Sequence, residues 1–236
     1  MNEPVVLIPG MMSDARLYGP QIEVLSRERT VIVACTTQGE RIEEIASNIL
    51  TALPAKFALA GLSMGGIIAM EILRRAPERV TRIALMDTNP LAETPQSAAG
   101  YEPMLVGVKA GRLDEVMRGF MKPDYLAPGP GRMKVLALMQ EMARDLGPEV
   151  FTRQVRALQR RRDQQSTLRK CKVPTLVMCG RHDGLTPVKR HTFMAELIPY
   201  ARLEIIENAG HVPVLEAPDE TIDALRDWMH QPYVLK

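Results

Sequence analysis

The sequence predicts an α/β protein built on a doubly wound, mainly parallel sheet of about six strands with a helical insertion. Three observations predict it. Short apolar runs recur at residues 4–8, 30–34, in the stretch leading into Ser63, and at 80–86, 173–179 and 201–206, each closing in a loop. Helix-length segments separate these runs, so successive strands need crossover connections of the kind that make parallel sheets. The strand rhythm stops between residues 88 and 170 and then resumes. We therefore expect a core made of residues 1–87 and 171–236, with residues 88–170 inserted as a helical lid.

Taken in order, Pro4 to Ile8 is apolar on both faces and ends at Pro9-Gly10, a turn signal. After the second run, Ile42, Ile45, Ile49 and Leu53 fall at helical spacing. The stretch KFALAGLSMGGIIAMEILRR, residues 56–75, joins a strand to a helix through Gly61-Leu62-Ser63-Met64-Gly65-Gly66. In the insertion, Leu113, Val116, Met117 and Phe120, and later Phe151, Val155 and Leu158, are spaced as helices. Pro123 and the run Pro128-Gly129-Pro130-Gly131 divide it in two. The fifth strand leads to Gly180-Arg181-His182-Asp183-Gly184, followed by a helix expected to be capped by Thr186 with Pro187 in its first turn. The last strand runs directly into Asn208-Ala209-Gly210-His211. A closing helix over 218–229 places Ile222, Leu225 and Met229 on one face.

At 236 residues, 46% hydrophobic and 25% charged, the chain has the composition of one ordinary globular domain. A net charge of +2 gives no reason to expect a polyanionic partner. The arginines at 153, 156, 160, 161 and 162 have no interleaved aromatics to stack on bases, so we read them as a solvated helix face and expect no nucleic-acid contact. The start, MNEPVVLIPG, resembles neither a secretory leader nor a membrane span, which places the expected location in the cytoplasm, away from membrane. Cys35, Cys171 and Cys179 lack metal-ligand spacing and are expected to be buried free thiols.

The G-x-S-x-G turn carries the chemistry. Such a turn strains the serine so that its hydroxyl is presented outward, and its glycines let neighbouring backbone pass close by. The helix opening at Met64 supplies free N–H groups and a partial positive charge where an oxyanion would form. Ser63, Asp183 and His211 each follow a strand, and the carboxyl ends of parallel strands share one sheet edge. A serine hydroxyl needs an imidazole to take its proton, and the imidazole needs a carboxylate to fix its tautomer. The second oxyanion donor is expected at the backbone N–H of Met11, with Met12 as the fallback, beside that of Met64.

These motifs together resemble the α/β-hydrolase superfamily, in its branch of small lidded carboxylesterases. The resemblance covers nearly the whole chain and rests on GLSMGG around Ser63, G-x-x-D ending at Asp183, and NAGHVPVLEAP around His211. It implies a serine carboxylic-ester hydrolase working on a small-molecule ester through an acyl-enzyme, with no metal and no organic cofactor. Acyl transfer, thioester or carbon–carbon cleavage, and ligand binding without catalysis are the alternatives on the same fold. The chain departs from many relatives in having Pro9-Gly10 where they carry His-Gly, and in starting at the buried strand without the two usual edge strands. Asp87, which also follows a strand, is the second candidate acid. His182, His191 and His230 read as ordinary loop or helix residues, and Asp14 as a cap. Met104, Met117, Met121, Met133, Met139 and Met142 in the insertion imply a lid that accepts apolar groups of varied shape.

Overall fold

The computed structural model describes residues 3–233. Its core is a single six-stranded, all-parallel sheet in the order β2-β1-β3-β4-β5-β6. In chain order the elements are β1 (Val5–Ile8), a 3-10 turn (Ala15–Tyr18), α1 (Gly19–Leu25), β2 (Val31–Val33), α2 (Ile42–Ala52), β3 (Phe57–Leu62), α3 (Met64–Arg75) and β4 (Val80–Met86). The insertion follows as α4 (Pro95–Ala99), α5 (Glu102–Lys109), α6 (Leu113–Phe120), a 3-10 turn (Pro123–Tyr125), α7 (Arg132–Gln159) and α8 (Gln165–Arg169). Then come β5 (Thr175–Gly180), α9 (Val188–Leu197), β6 (Ala201–Ile206), α10 (Pro213–Glu216) and α11 (Pro218–His230).

The strands alternate their side chains between two apolar layers, as the pleat requires. Val6, Ile8, Leu59, Ile83, Leu85 and Val177 face a layer shared with α2, α3 and α9. Val5, Leu7, Ala60, Ala84, Leu176 and Met178 face the opposite layer, under α1 and α11, where Trp228 is fully buried. Both faces of the sheet are thus covered, which is why its central strands read as unbroken apolar runs. The strand order reverses between β1 and β3, so the crevice outside their carboxyl ends is the topological switch point where ligands bind in such sheets. Met11 follows the first of these strands and Ser63 the second.

Several sequence expectations shift. The second strand shortens to three residues, and Cys35, just past this edge strand, is exposed, whereas Cys171 and Cys179 are buried as expected. The arginine run is a set of clamps more than a solvated face. Arg161 is buried against Glu93, Arg162 reaches Glu43, and Arg153 donates to the Thr37 carbonyl. α7 is broken at Gly147, whose φ of 82° precedes Pro148, a second break beyond the proline-glycine run. No helix among the described residues is long and apolar enough to cross a membrane.

The tightest packing sits where β3 meets α3. A Cβ on Gly65 would overlap the backbone carbonyls of Ile8 and Pro9, and one on Gly61 would overlap Gly65 itself. Gly119, in α6, has nothing within 4 Å of the same position. Gly65→Ala should therefore lower the melting temperature sharply or prevent folding. Gly119→Ala should leave stability unchanged or raise it by up to about 1 kcal/mol, because it removes only helix flexibility. Thermal denaturation of the two variants checks this; a mild effect at Gly65 would contradict the packing described.

Candidate active site

Ser63 occupies the corner between β3 and α3 at φ 56°, ψ −118°, a region that side-chain-bearing residues rarely adopt. The strain is held by neighbours on every side. Its N–H donates to the Met86 carbonyl at 2.9 Å, and its carbonyl accepts from the Thr88 hydroxyl at 2.7 Å. The side chain is left half-buried, with Oγ 3.1 Å from Nε2 of His211.

His211 lies on the loop after β6, and its N–H donates to the Tyr125 carbonyl of the insertion at 2.7 Å. Its ring is buried, with Nδ1 2.9 Å from Oδ2 of Asp183. Asp183 follows β5 and is itself buried. Its Oδ1 accepts from the N–H groups of Leu185 and Thr186, each at 2.8 Å, and its Oδ2 also accepts from the Thr186 hydroxyl at 2.6 Å. Burial alone would raise this carboxyl, but the charge and hydrogen bond of His211 and the bonds from Thr186 outweigh it and hold the group at about 2. Asp183 is therefore a carboxylate and can only accept. Nδ1 of His211 must then carry the proton, which leaves Nε2 as the acceptor for the Ser63 hydroxyl. The expected helix cap is corrected at this point: α9 starts at Val188, and the Thr186 hydroxyl is drawn to Asp183 instead.

The oxyanion expectation divides in the same way. The N–H of Met12 is occupied, donating to Oε1 of Gln154 at 2.8 Å. Neither Met11 nor Met64 has a hydrogen-bond partner for its N–H among the described residues. Asp14 caps the 3-10 turn by accepting from the Arg16 N–H, as expected.

Asp87, the second candidate acid, is fully buried beside the triad residues but makes no bond to His211. Its Oδ1 accepts from the Gly180 N–H at 3.0 Å, and its Oδ2 is buried without a partner. Burial and the neighbouring Asp183 charge push it well above the usual carboxylate range. Asp87, Asp183 and His211 could offer three ligand atoms within 4.8 Å of one another. The Nδ1 proton between His211 and Asp183 already uses that contact.

Three further residues escaped the sequence reading. Glu216 accepts from the N–H groups of Ala127, Gly210 and Val212, joining the insertion to the His211 loop. His191 is not an ordinary helix residue. Burial depresses it to about 4, and its neutral Nε2 accepts from the Thr88 N–H at 3.0 Å. Gln154 is fully buried where α7 meets the turn after β1. Only the glutamate had a signal in the sequence, as part of the NAGHVPVLEAP run.

A profile of the alpha/beta hydrolase family matches residues 5–224. The chain belongs to that family. Its curated relatives include the pimeloyl-[acyl-carrier protein] methyl ester esterases of Vibrio parahaemolyticus, 25% identical over 95% of this chain and 93% of the relative, and of Aliivibrio fischeri, 26% identical over 80% and 76%. Among solved structures, a thermophilic esterase from Thermogutta terrifontis superposes with a TM-score of 0.87 at 25% identity, covering 97% of this chain and 91% of the other.

The upward push on Asp87 has a measurable consequence. Its folded value lies above the unfolded one, near 3.9. Its contribution to stability is therefore fully present below about pH 4 and lost as pH rises toward the folded value. Asp87→Asn should consequently gain melting temperature relative to the parent as pH is raised from 4 to 8. A difference independent of pH would mean that the fold does not raise the Asp87 carboxyl.

Proposed function

We propose that the chain hydrolyses carboxylic esters with neutral, apolar, short-to-medium acyl groups, with Ser63 as nucleophile, His211 as base and then acid, and Asp183 as its orienting carboxylate. The enzyme class follows from the family and from the esterase relatives. The observation that carries the residue roles is the unbroken line from Asp183 through His211 to Ser63, with spacings of 2.9 and 3.1 Å.

The steps follow from that line. Ser63 attacks the ester carbonyl while Nε2 of His211 takes its proton, and Asp183 stabilises the imidazolium. The negative oxygen of the tetrahedral intermediate is met by the N–H groups of Met11 and Met64, the second of them at the positive end of α3. His211 returns the proton to the leaving alcohol, and the acyl group remains on Ser63. Water, deprotonated by the same imidazole, then releases the acid. Residues 88–170 serve as the lid. A cavity of about 390 Å³ in it is walled by Met117, Met121, Met133, Leu136 and Met139 together with Arg118, Gln140 and Arg144, and Met139 sulfur lies 4.0 Å from the Ser13 hydroxyl beside the oxyanion turn. Flexible thioethers fit acyl groups by packing and not by hydrogen bonds. A larger cavity of about 830 Å³, lined by Lys56, Val80 and Lys172, opens at the far edge of the sheet and has no part in this reaction. The curated relatives point to a second reading, a methyl ester whose acyl chain is held by a carrier protein.

The test is kcat/KM along nitrophenyl acetate to laurate, beside a carboxylate-bearing analogue and a carrier-bound methyl ester. Each added methylene should improve kcat/KM by no more than the equivalent of about 0.8 kcal/mol until the cavity fills, giving a broad optimum. Ser63→Ala and His211→Ala should each abolish most turnover, with the double variant little worse than either. Asp183→Asn should cost orders of magnitude more than Asp87→Asn. A steep preference for one length or for the charged analogue would overturn the substrate class, a dominant carrier-bound ester would favour the second reading, and the reverse ranking of the aspartates would move the acid.

A further inference from the structure

The turn after β1 carries two consecutive amides, Met11 and Met12, and that of Met12 is already bonded. Met12 is left-handed, at φ 53°, a conformation its side chain disfavours and its surroundings must impose. The peptide unit joining the two residues is held at both ends. Its carbonyl, that of Met11, accepts from the Ser13 hydroxyl at 3.3 Å, and its N–H, that of Met12, donates to Oε1 of Gln154 at 2.8 Å. Gln154 is in turn fixed by its own amide, whose Nε2 donates to the carbonyl of Thr36 at 3.1 Å. It lies 142 residues from Met12 in the chain, is fully buried, and reaches the turn from the second half of α7.

We propose that Gln154 is a positioning residue that selects the Met11 N–H as oxyanion donor by holding the Met12 N–H away from the serine. The proposal rests on the triad reading above. Fixing the direction of the Met12 N–H fixes the peptide plane that follows Met11, and so narrows the rotations about Met11 that orient the preceding plane, which carries the Met11 N–H. Without an acceptor at position 154, Met12 would present a second buried, unpaired N–H, and the strained turn would rotate to satisfy it. The neutral amide of Gln154 serves both neighbours at once, accepting from Met12 and donating to Thr36. The same contact ties the insertion to the catalytic edge. Arg153, the preceding residue, donates to the Thr37 carbonyl, so this half of α7 grips the loop after β2 as well as the turn after β1.

The test uses the full chain and a nitrophenyl ester, with Gln154→Met as the principal variant. That change keeps the volume and removes both bonds. A displaced oxyanion donor should lower kcat by about 10- to 100-fold while KM stays within about threefold. Affinity for a trifluoromethyl ketone, which adds to the serine and forms the same oxyanion, should fall by a similar factor. Gln154→Glu keeps an acceptor for the Met12 N–H and should recover much of the lost kcat, although a buried carboxyl makes it the less stable of the two. A merely structural role predicts the opposite order, with activity following stability. Arg79→Met, which removes side-chain bonds to the Leu50, Leu53 and Pro54 carbonyls at the far edge of the sheet, should destabilise with kcat unchanged. Should Gln154→Met fail to fold, Gln154→Ala carries the same expectation. Full turnover in a folded Gln154 variant, or a loss no larger than that of Arg79→Met, overturns the proposal alone. Retained turnover in Ser63→Ala overturns the nucleophile assignment and this inference with it.

Discussion

Asp183 is a carboxylate kept charged out of water, and much of the catalytic edge is arranged around that fact. An ion buried in this way is tolerable only when its lone pairs are matched by donors, and here the N–H groups of Leu185 and Thr186, the Thr186 hydroxyl and the His211 ring supply them. Its charge fixes the tautomer of His211, and through the tautomer it turns Nε2 into the acceptor for Ser63. Burial, with the same charge beside it, pushes the neighbouring Asp87 well above the usual carboxylate range. Two carboxyls within one cluster are thus pushed in opposite directions by their surroundings, the paired one down to about 2 and the one with an orphan oxygen well above the usual range.

Backbone strain is concentrated at the same edge. Four described non-glycine residues have positive φ, and three of them, Met12, Ser63 and Asp87, stand just past β1, β3 and β4. Such conformations persist only when neighbours over-determine them. At Ser63 the neighbours are Met86 and Thr88; at Met12 they are Gln154 and Ser13; at Asp87 the side chain accepts from Gly180. The close approach at Gly61 and Gly65 brings β1, β3 and α3 near enough for these contacts to exist. Rigidity in the sheet is therefore what holds Ser63 and the turn after β1 at one edge.

The six parallel strands, the helical interruption and the placing of Ser63, Asp183 and His211 after strands could be read from the sequence because each has a local signature. Apolar runs mark buried strands, and a polar residue immediately after such a run marks the catalytic edge. Thr186 shows where local signatures fail. Its place before Pro187 is that of a helix cap, but its hydroxyl is turned to donate to a buried carboxylate three residues earlier, and the helix starts one residue later than a Thr186 cap requires, at Val188. Cys35 was read as buried because β2 looks like an interior strand, and an edge position cannot be told from sequence periodicity. Gln154 and His191 carry no local pattern at all. Their partners lie 142 and 103 residues away, and only the folded chain brings them together.

The central claim is that the fold activates Ser63, and covalent labelling tests it most directly. Incubation with a fluorophosphonate, followed by peptide mass analysis, should place one adduct on the peptide containing Ser63, and His211→Ala should slow that labelling by orders of magnitude. Rapid ester turnover by a protein whose Ser63 remains unlabelled, or labelling that His211→Ala leaves untouched, would contradict the account.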